Sequence, residues 1–265
     1  MMFSVSSMTA PLQKVALKKP GASLMNADSA VWHYGPHFQP ELVAANHAAF
    51  VETLRDAGVE IFWMPEDDGG IADAVFTYDA SLMTPAGAVL MSPGKALRAG
   101  EQNLHRTFYT EHQIPIVAEI SGEGRAEAGD TLWLDDTTLI IGRGFRTNAA
   151  GAQQLQSIMA EIGIDTHVYD LPVYTGADAC LHLMSLISLV DTKTALVCME
   201  LLPVGLFELL GEKGFTLIQA PFSEFEQSGT LSTNVLATAP AQCIMLDGLP
   251  DTHAALVNAG INVRL

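Results

Sequence analysis

Four times along this chain an apolar hairpin is followed by a stretch of helical period and then by a short strand. The hairpins read DASLMTPAGAVLMS, DTLWLDDTTLIIG, HLMSLISLVDTKTALVCM and NVLATAPAQCIMLDG, with Pro-Ala-Gly, Asp-Asp and Pro-Ala among the turns that part the two apolar runs. Helices are predicted over NLHRTFYTEHQ, TNAAGAQQLQSIMAEIG, MELLPVGLFELLGEKG and DTHAALVNAG, and closing strands over IPIVAEI, DTHVYDL, FTLIQA and INVRL. The N-terminal part supplies pieces of one more unit, a helix over ELVAANHAAFVETLRDAG ending at Gly58 and a strand over VEIFWM. One unit is therefore strand, strand, helix, strand. About five such units are expected to close into a ring within one α/β domain spanning 1–265.

Each hairpin opens on a polar residue. Asp79, Asp130, His182 and Asn234 follow one another at steps of 51, 52 and 52 residues. A repeat that delivers one polar side chain per unit to the same place predicts a ring of polar groups about a central axis. The chain ends at Leu265 on a closing strand. The next opener is expected beyond it, so the domain is read as lacking its closing segment.

Composition narrows the partners. Thirteen Lys and Arg against 30 Asp and Glu give a formal net charge of −17, which argues against nucleic acid or an anionic membrane and suits a small cationic ligand. Cys180, Cys198 and Cys243 form neither a metal spacing nor an even disulfide set, so a reducing compartment is expected. The N-terminus does not read as a signal peptide. The apolar stretch from Leu181 to Leu210 is interrupted by Asp191, Lys193, Glu200 and Pro203, which leaves no membrane span. A cytoplasmic protein is the expectation, and a homodimer is compatible with it.

The carboxylates cluster around the openers. Asp73 and Asp79 bracket DAVFTYD, read as a short strand whose even spacing puts both on one face. Glu127 and Asp130 bracket a tight turn in EAGD, and Asp178 and His182 bracket DACLH. Paired carboxylates facing a cavity suit a planar delocalised cation, which they grip through bidentate hydrogen bonds. A guanidinium is such a cation. His182 beside Glu127 or Asp130 would be oriented and charged as a general acid/base requires; the alternative is a hydrogen-bonded core histidine. Arg98, after a Pro-Gly turn, and Arg146, just ahead of a helix that Thr147 or Asn148 would cap, could hold a ligand carboxylate or sit solvated on the surface. Cys180 shares the histidine's hairpin, but apolar neighbours favour a buried, inert thiol there and at Cys198 and Cys243.

Together DAVFTYD, SPGKALRAGE, EAGDTLWL, GFRTNAAGAQQL and CLHLMS resemble the guanidine-modifying superfamily, the pentein-type five-bladed α/β propellers that include dimethylargininase, arginine deiminase and the amidinotransferases. The resemblance is strongest to the dimethylargininase-like branch. It implies Asp73 and Asp79 as guanidinium-binding carboxylates, His182 as catalytic histidine with Glu127 as its acidic partner, Arg98 and Arg146 as ligands of a substrate carboxylate, and Leu24 as a lid leucine. The implied activity is hydrolysis of a guanidino compound to a ureido product through a cysteine thiouronium intermediate, without metal or other cofactor. An amidinotransferase, or a binding protein without turnover, is the alternative.

Three departures stand out. Tyr78 replaces a glutamate, Met184 replaces an aspartate found in deiminases and amidinotransferases, and the Gly-rich segment that carries the family cysteine has no counterpart here. Repeat and resemblance both place that cysteine roughly ten to twenty residues after Leu265.

Overall fold

The computed structural model describes residues 3–34, 38–177 and 181–265. The chain divides into two compact units, one of residues 3–5 with Gln13–Ala128, the other of Ser6–Leu12 with Gly129–Leu265.

In the first unit β1 (Lys14–Leu17) leads through α1 (Ala22–Met25), α2 (Ser29–Trp32) and α3 (Pro40–Asp56) to β2 (Glu60–Trp63), which pairs with it in parallel. Pro40 occupies the first turn of α3, where its missing N–H costs nothing and its fixed φ suits the helix. A second sheet joins the antiparallel hairpin β3 (Ser81–Thr84) and β4 (Gly87–Leu90) to β5 (Ile116–Glu119), with α4 (Glu101–Glu111) as the crossover. Gly87 is required by the close approach of β5's entry: a Cβ there would lie 2.5 Å from the Pro115 carbonyl oxygen. Met64, Leu90, Phe108 and Ile114 form the core under this sheet.

The second unit repeats the pattern three times. β6 (Thr131–Asp135) and β7 (Thr138–Arg143) lead through α5 (Ala149–Glu161) to β8 (Asp165–Asp170). β9 (Ile187–Asp191) and β10 (Thr194–Val197) lead through α6 (Val204–Glu212) to β11 (Thr216–Gln219), and α7 (Phe222–Gln227) follows. β12 (Leu236–Ala239) and β13 (Gln242–Ile244) lead through α8 (Pro250–Asn258) to β14 (Asn262–Arg264). In every three-stranded sheet the second hairpin strand lies in the middle, antiparallel to the first and parallel to the closing strand.

That position explains the sequence pattern. The middle strands β4, β7 and β10 read as nearly continuous apolar runs because both faces are covered, whereas the closing strands β5 and β8 are only half-buried. Each Leu or Ile so enclosed, such as Leu139, Ile140 and Leu196, contributes about 1.5–3 kcal/mol.

The strand, strand, helix, strand unit is thus present in four sheets, and a two-stranded βαβ sheet makes the fifth among the described residues. Three local expectations change. DAVFTYD is not a strand: Ala72–Val75 form a 3-10 turn closed by Phe76 N–H donating to the Asp73 carbonyl at 2.9 Å. The alternation of Ala72, Ala74 and Phe76 imitates strand period, but local turn hydrogen bonds win over so short a run. The helix expected from Met199 begins at Val204, because Pro203 supplies no N–H and fixes the chain just before the first turn. The six-residue α7 is too short to show a period, and the sequence reading contains no counterpart to it. No helix among the described residues is long and apolar enough to cross a membrane.

Candidate active site

In the first unit one segment, Gly94 to Glu101, organises four carboxylates. It leaves β4 past Ser92, which makes an isolated antiparallel bridge to Ala126. It forms a 3-10 turn over Ala96–Arg98 and enters α4 through Gly100, whose φ of 95° a side chain would strain. The bridge brings Glu127 under the segment. Fully buried, Glu127 accepts at Oε1 the backbone N–H groups of Gly94 at 2.8 Å and Lys95 at 3.1 Å.

Arg98 is the centre of this arrangement. Its Nε and Nη2 donate to Glu101 Oε2 and Oε1 at 2.5 and 2.8 Å, its Nη2 also to the Phe76 carbonyl at 3.1 Å, and its Nη1 to Asp79 Oδ2 at 2.6 Å. Nη1 lies 4.0 Å from Glu127 Oε2 as well. Burial opposes the charge of Arg98, yet the hydrogen bonds to Glu101 and the charges of Asp79, Glu101 and Glu127 hold the guanidinium firmly protonated. Burial pushes the Glu101 carboxyl up to about 7 against the pull of Arg98. The two-point contact with Arg98 is that of an ionised carboxylate, so the pair is charged at neutral pH.

Lys95 occupies Asp73 in the same way. Its Nζ donates to Asp73 Oδ2 at 2.6 Å and to the Trp32 carbonyl at 3.0 Å, beneath the rings of Trp32 and Tyr34. Tyr34 OH donates to the other oxygen, Oδ1, at 2.6 Å. Asp73 and Asp79 do not share a strand face; each has its own cation, Asp79 in Arg98 and Asp73 in Lys95. Tyr78 beside Asp79 is exposed. Leu24 is buried on α1, whose first turn is fastened by Ser23 N–H and Oγ donating to the Asp68 carboxylate at 2.9 and 2.7 Å.

The second unit places His182 at the start of a 3-10 turn over Leu183–Ser185. The Ser185 N–H donates to the His182 carbonyl oxygen at 3.1 Å, and Ser185 Oγ accepts the His182 N–H at 3.2 Å. The turn is fixed from below by Asp130, fully buried, whose Oδ1 accepts Leu183 N–H at 3.0 Å. Arg146 is half-buried just before Asn148, which caps α5 by accepting Gly151 N–H at 2.8 Å. Asn234, fourth in the repeat, is exposed, and the buried residue at that point is Thr233. Cys198 and Cys243 are buried, and burial pushes their thiols up to about 11 and about 12. Asp178 and Cys180 lie outside the described residues.

Lys95, Glu101 and Tyr34 escaped the sequence reading. Glu101 carried a signal, standing three residues after Arg98 at a spacing that favours an ion pair. Lys95 and Tyr34 carried none, since their partner is distant in the chain.

Residues 71–208 match the arginine deiminase family. The chain is 30% identical over 260 residues to N(G),N(G)-dimethylarginine dimethylaminohydrolase of Streptomyces coelicolor, covering 94% of this chain and 88% of that protein. The chain therefore belongs to the arginine deiminase family within the guanidine-modifying superfamily. Its fold is that of dimethylarginine dimethylaminohydrolase from Pseudomonas aeruginosa, solved with citrulline, at a TM-score of 0.76 and 23% identity over 96% of this chain and 91% of that one. It is equally that of SxtG, an amidinotransferase from Microseira wollei, at a TM-score of 0.79 and 15% identity over 100% and 91% of the two chains.

Proposed function

We propose that this protein hydrolyses a guanidino compound to a ureido product through a covalent thiouronium intermediate. The observation that carries the proposal is the Gly94–Glu101 segment, which holds Asp79 and Glu127 as a pair of oriented carboxylates in a mainly buried setting. Such groups bind a planar cation and stabilise it as the carbon it carries turns tetrahedral. The first unit's part is to grip the guanidinium through Asp79, with Glu127 as the second acidic group. The second unit's part is acid/base chemistry at His182, whose turn is held by Ser185 and Asp130. In this reading the ring proton goes to the leaving amine or ammonia, and the same nitrogen then takes a proton from the water that attacks the thiouronium carbon. The nucleophile is assigned to a cysteine other than Cys198 and Cys243, whose raised thiol pKa values keep them protonated at neutral pH. Arg146 is assigned to the far end of the substrate. The five-bladed arrangement that the resemblance implies is part of the same proposal, supported by the recurring sheet order.

The test is calorimetric binding of a guanidine panel with assay of ureido product. Asp79→Asn should cost about 2–5 kcal/mol of guanidine binding, much of it from leaving a cation unpaired. His182→Ala should abolish product while binding persists. Guanidine affinity unchanged by Asp79→Asn would overturn the assignment.

A further inference from the structure

Thr233 is fully buried, and its hydroxyl donates to the Ser185 carbonyl across 48 positions of the chain. Ser185 closes the His182 turn: its N–H donates to the His182 carbonyl at 3.1 Å and its Oγ accepts the His182 N–H at 3.2 Å. Asp130 holds the other end of that turn, accepting Leu183 N–H at 3.0 Å. Asp130 opens the hairpin before His182, and Thr233 stands one residue ahead of Asn234, where the hairpin after it begins. Both neighbours in the repeat therefore reach the turn with one side chain each, Asp130 at its first residue and Thr233 at its last.

Thr233 is itself held stiffly. Ser188 Oγ, on β9, donates to the Thr233 carbonyl at 2.6 Å and accepts Val235 N–H at 3.3 Å. Upstream, Ser228 Oγ accepts the N–H groups of Leu231 and Ser232 at 3.1 and 3.0 Å. Thr230, within that loop, has a φ of 74°, a left-handed conformation that strains a β-branched residue, and its N–H donates to the Phe225 carbonyl at 2.8 Å. Strain of this kind persists only where surrounding bonds over-determine the backbone, and it gathers where position matters to function. Here the strained segment delivers one hydroxyl to one carbonyl.

From this geometry, and resting on the reading of His182 as the acid/base, we infer that Thr233 is a positioning residue for His182, acting through Ser185. A threonine hydroxyl has a single O–H, and this one is spent on the Ser185 carbonyl. The bond fixes Ser185, and with it the two backbone bonds by which Ser185 fixes His182. A proton carrier has to meet the reacting atoms at hydrogen-bond reach, and a small misplacement lowers the rate without weakening binding. Without the Thr233 hydroxyl the turn keeps its anchor at Leu183 and loses the one at Ser185.

The experiment compares Thr233→Val, which removes the donor at similar volume, with Thr233→Ser, which keeps it, both in the full chain. The first readout is NMR titration of the histidine rings, with the His182 signal identified by its loss in His182→Ala. Thr233→Val should move the His182 midpoint by about 0.3 pH unit or more, a twofold change in proton affinity, and leave His167 and His253 of the same unit unmoved. Thr233→Ser should restore it. The second readout is turnover of arginine and N(G),N(G)-dimethylarginine, where Thr233→Val should lower kcat about tenfold or more at unchanged KM and Thr233→Ser should recover most of the loss. A His182 titration that Thr233→Val leaves in place overturns the inference, with or without turnover, and so does a moved titration with unchanged kcat. A moved titration in a protein whose His182→Ala variant still forms ureido product overturns the acid/base reading instead, since Thr233 then positions a histidine that transfers no proton. Should Thr233→Val fail to fold, Ser188→Ala, which releases the Thr233 carbonyl, should move the same signal, and no movement there overturns the inference.

Discussion

Asp79 in the first unit and Asp130 in the second stand at the same point of the repeat, 51 residues apart, yet their carboxylates are satisfied by different partners. Asp79 accepts from the guanidinium of Arg98, which is itself gripped by Glu101. Asp130 accepts from a backbone N–H at the head of the His182 turn. The ionic solution gathers several carboxylates around one guanidinium and depends on Arg98 staying charged. The backbone solution fixes one turn. One repeat position is thus satisfied in two ways, by a guanidinium in one unit and by a backbone N–H in the other.

The largest expected effect breaks the ionic arm. Arg98→Met leaves Glu101 buried without its cation, and removing one partner of a buried pair costs about 3–5 kcal/mol. Asp130→Ala removes a hydrogen-bond acceptor from a buried N–H and should cost about 1–3 kcal/mol. Urea unfolding of the two variants, followed by the double variant Arg98→Met with Glu101→Leu, ranks the arms. The double variant should recover part of the Arg98→Met loss, because no unpaired charge then remains. An Arg98→Met protein as stable as the parent would show that the pair is solvated rather than buried.

Acid titration sharpens the same contrast. Behind the ionic cluster His105 shares Ser81 Oγ with Tyr109, its Nδ1 at 2.9 Å and the Tyr109 hydroxyl at 2.5 Å. Burial, with a smaller contribution from the charge of Arg98, pushes the His105 ring down to about 4 from an ordinary 6.5. The unfolded chain therefore binds more protons than the folded one between those values. Stability from this group is complete above pH 6.5 and is lost as pH falls toward 4, up to about 3 kcal/mol in total. Against a His105→Gln variant, the stability advantage of the parent should shrink steadily from pH 6.5 to 4. An advantage that does not change with pH would remove His105 from the account.

Much of this was legible in the sequence. The turns Pro-Ala-Gly in β3–β4 and Asp-Asp in β6–β7 part apolar runs that can only pair with each other, and Pro40 and Asn148 mark helix starts by simple local chemistry. The openers were found by their spacing. What stayed hidden was which charge meets which: Tyr34 reaches Asp73 across 39 positions and Lys95 across 22, distances at which no local pattern survives. DAVFTYD was misread for the opposite reason, a local pattern too short to distinguish a strand from a 3-10 turn.

The smallest effect concerns the helix that follows each hairpin. In the second unit α5 starts at a conventional cap, where the Asn148 side chain accepts Gly151 N–H at 2.8 Å. In the first unit α4 starts from Gly100 with no side-chain cap, and its first residue, Glu101, turns to Arg98 instead. The side chain that would favour the helix N-terminus electrostatically is thus spent on the ionic cluster. Asn148→Ala should cost about 1 kcal/mol, the usual loss of an N-cap. Gly100→Asn, which offers α4 a cap in a left-handed conformation that asparagine tolerates better than most residues, should change stability by only a few tenths of a kcal/mol either way. Thermal melts of the two single variants measure both. A loss on Asn148→Ala well below 0.5 kcal/mol, outside the usual range for a cap of about 0.5–2 kcal/mol, would mean that α5 is held by its packing alone and that the two helices start on equal terms.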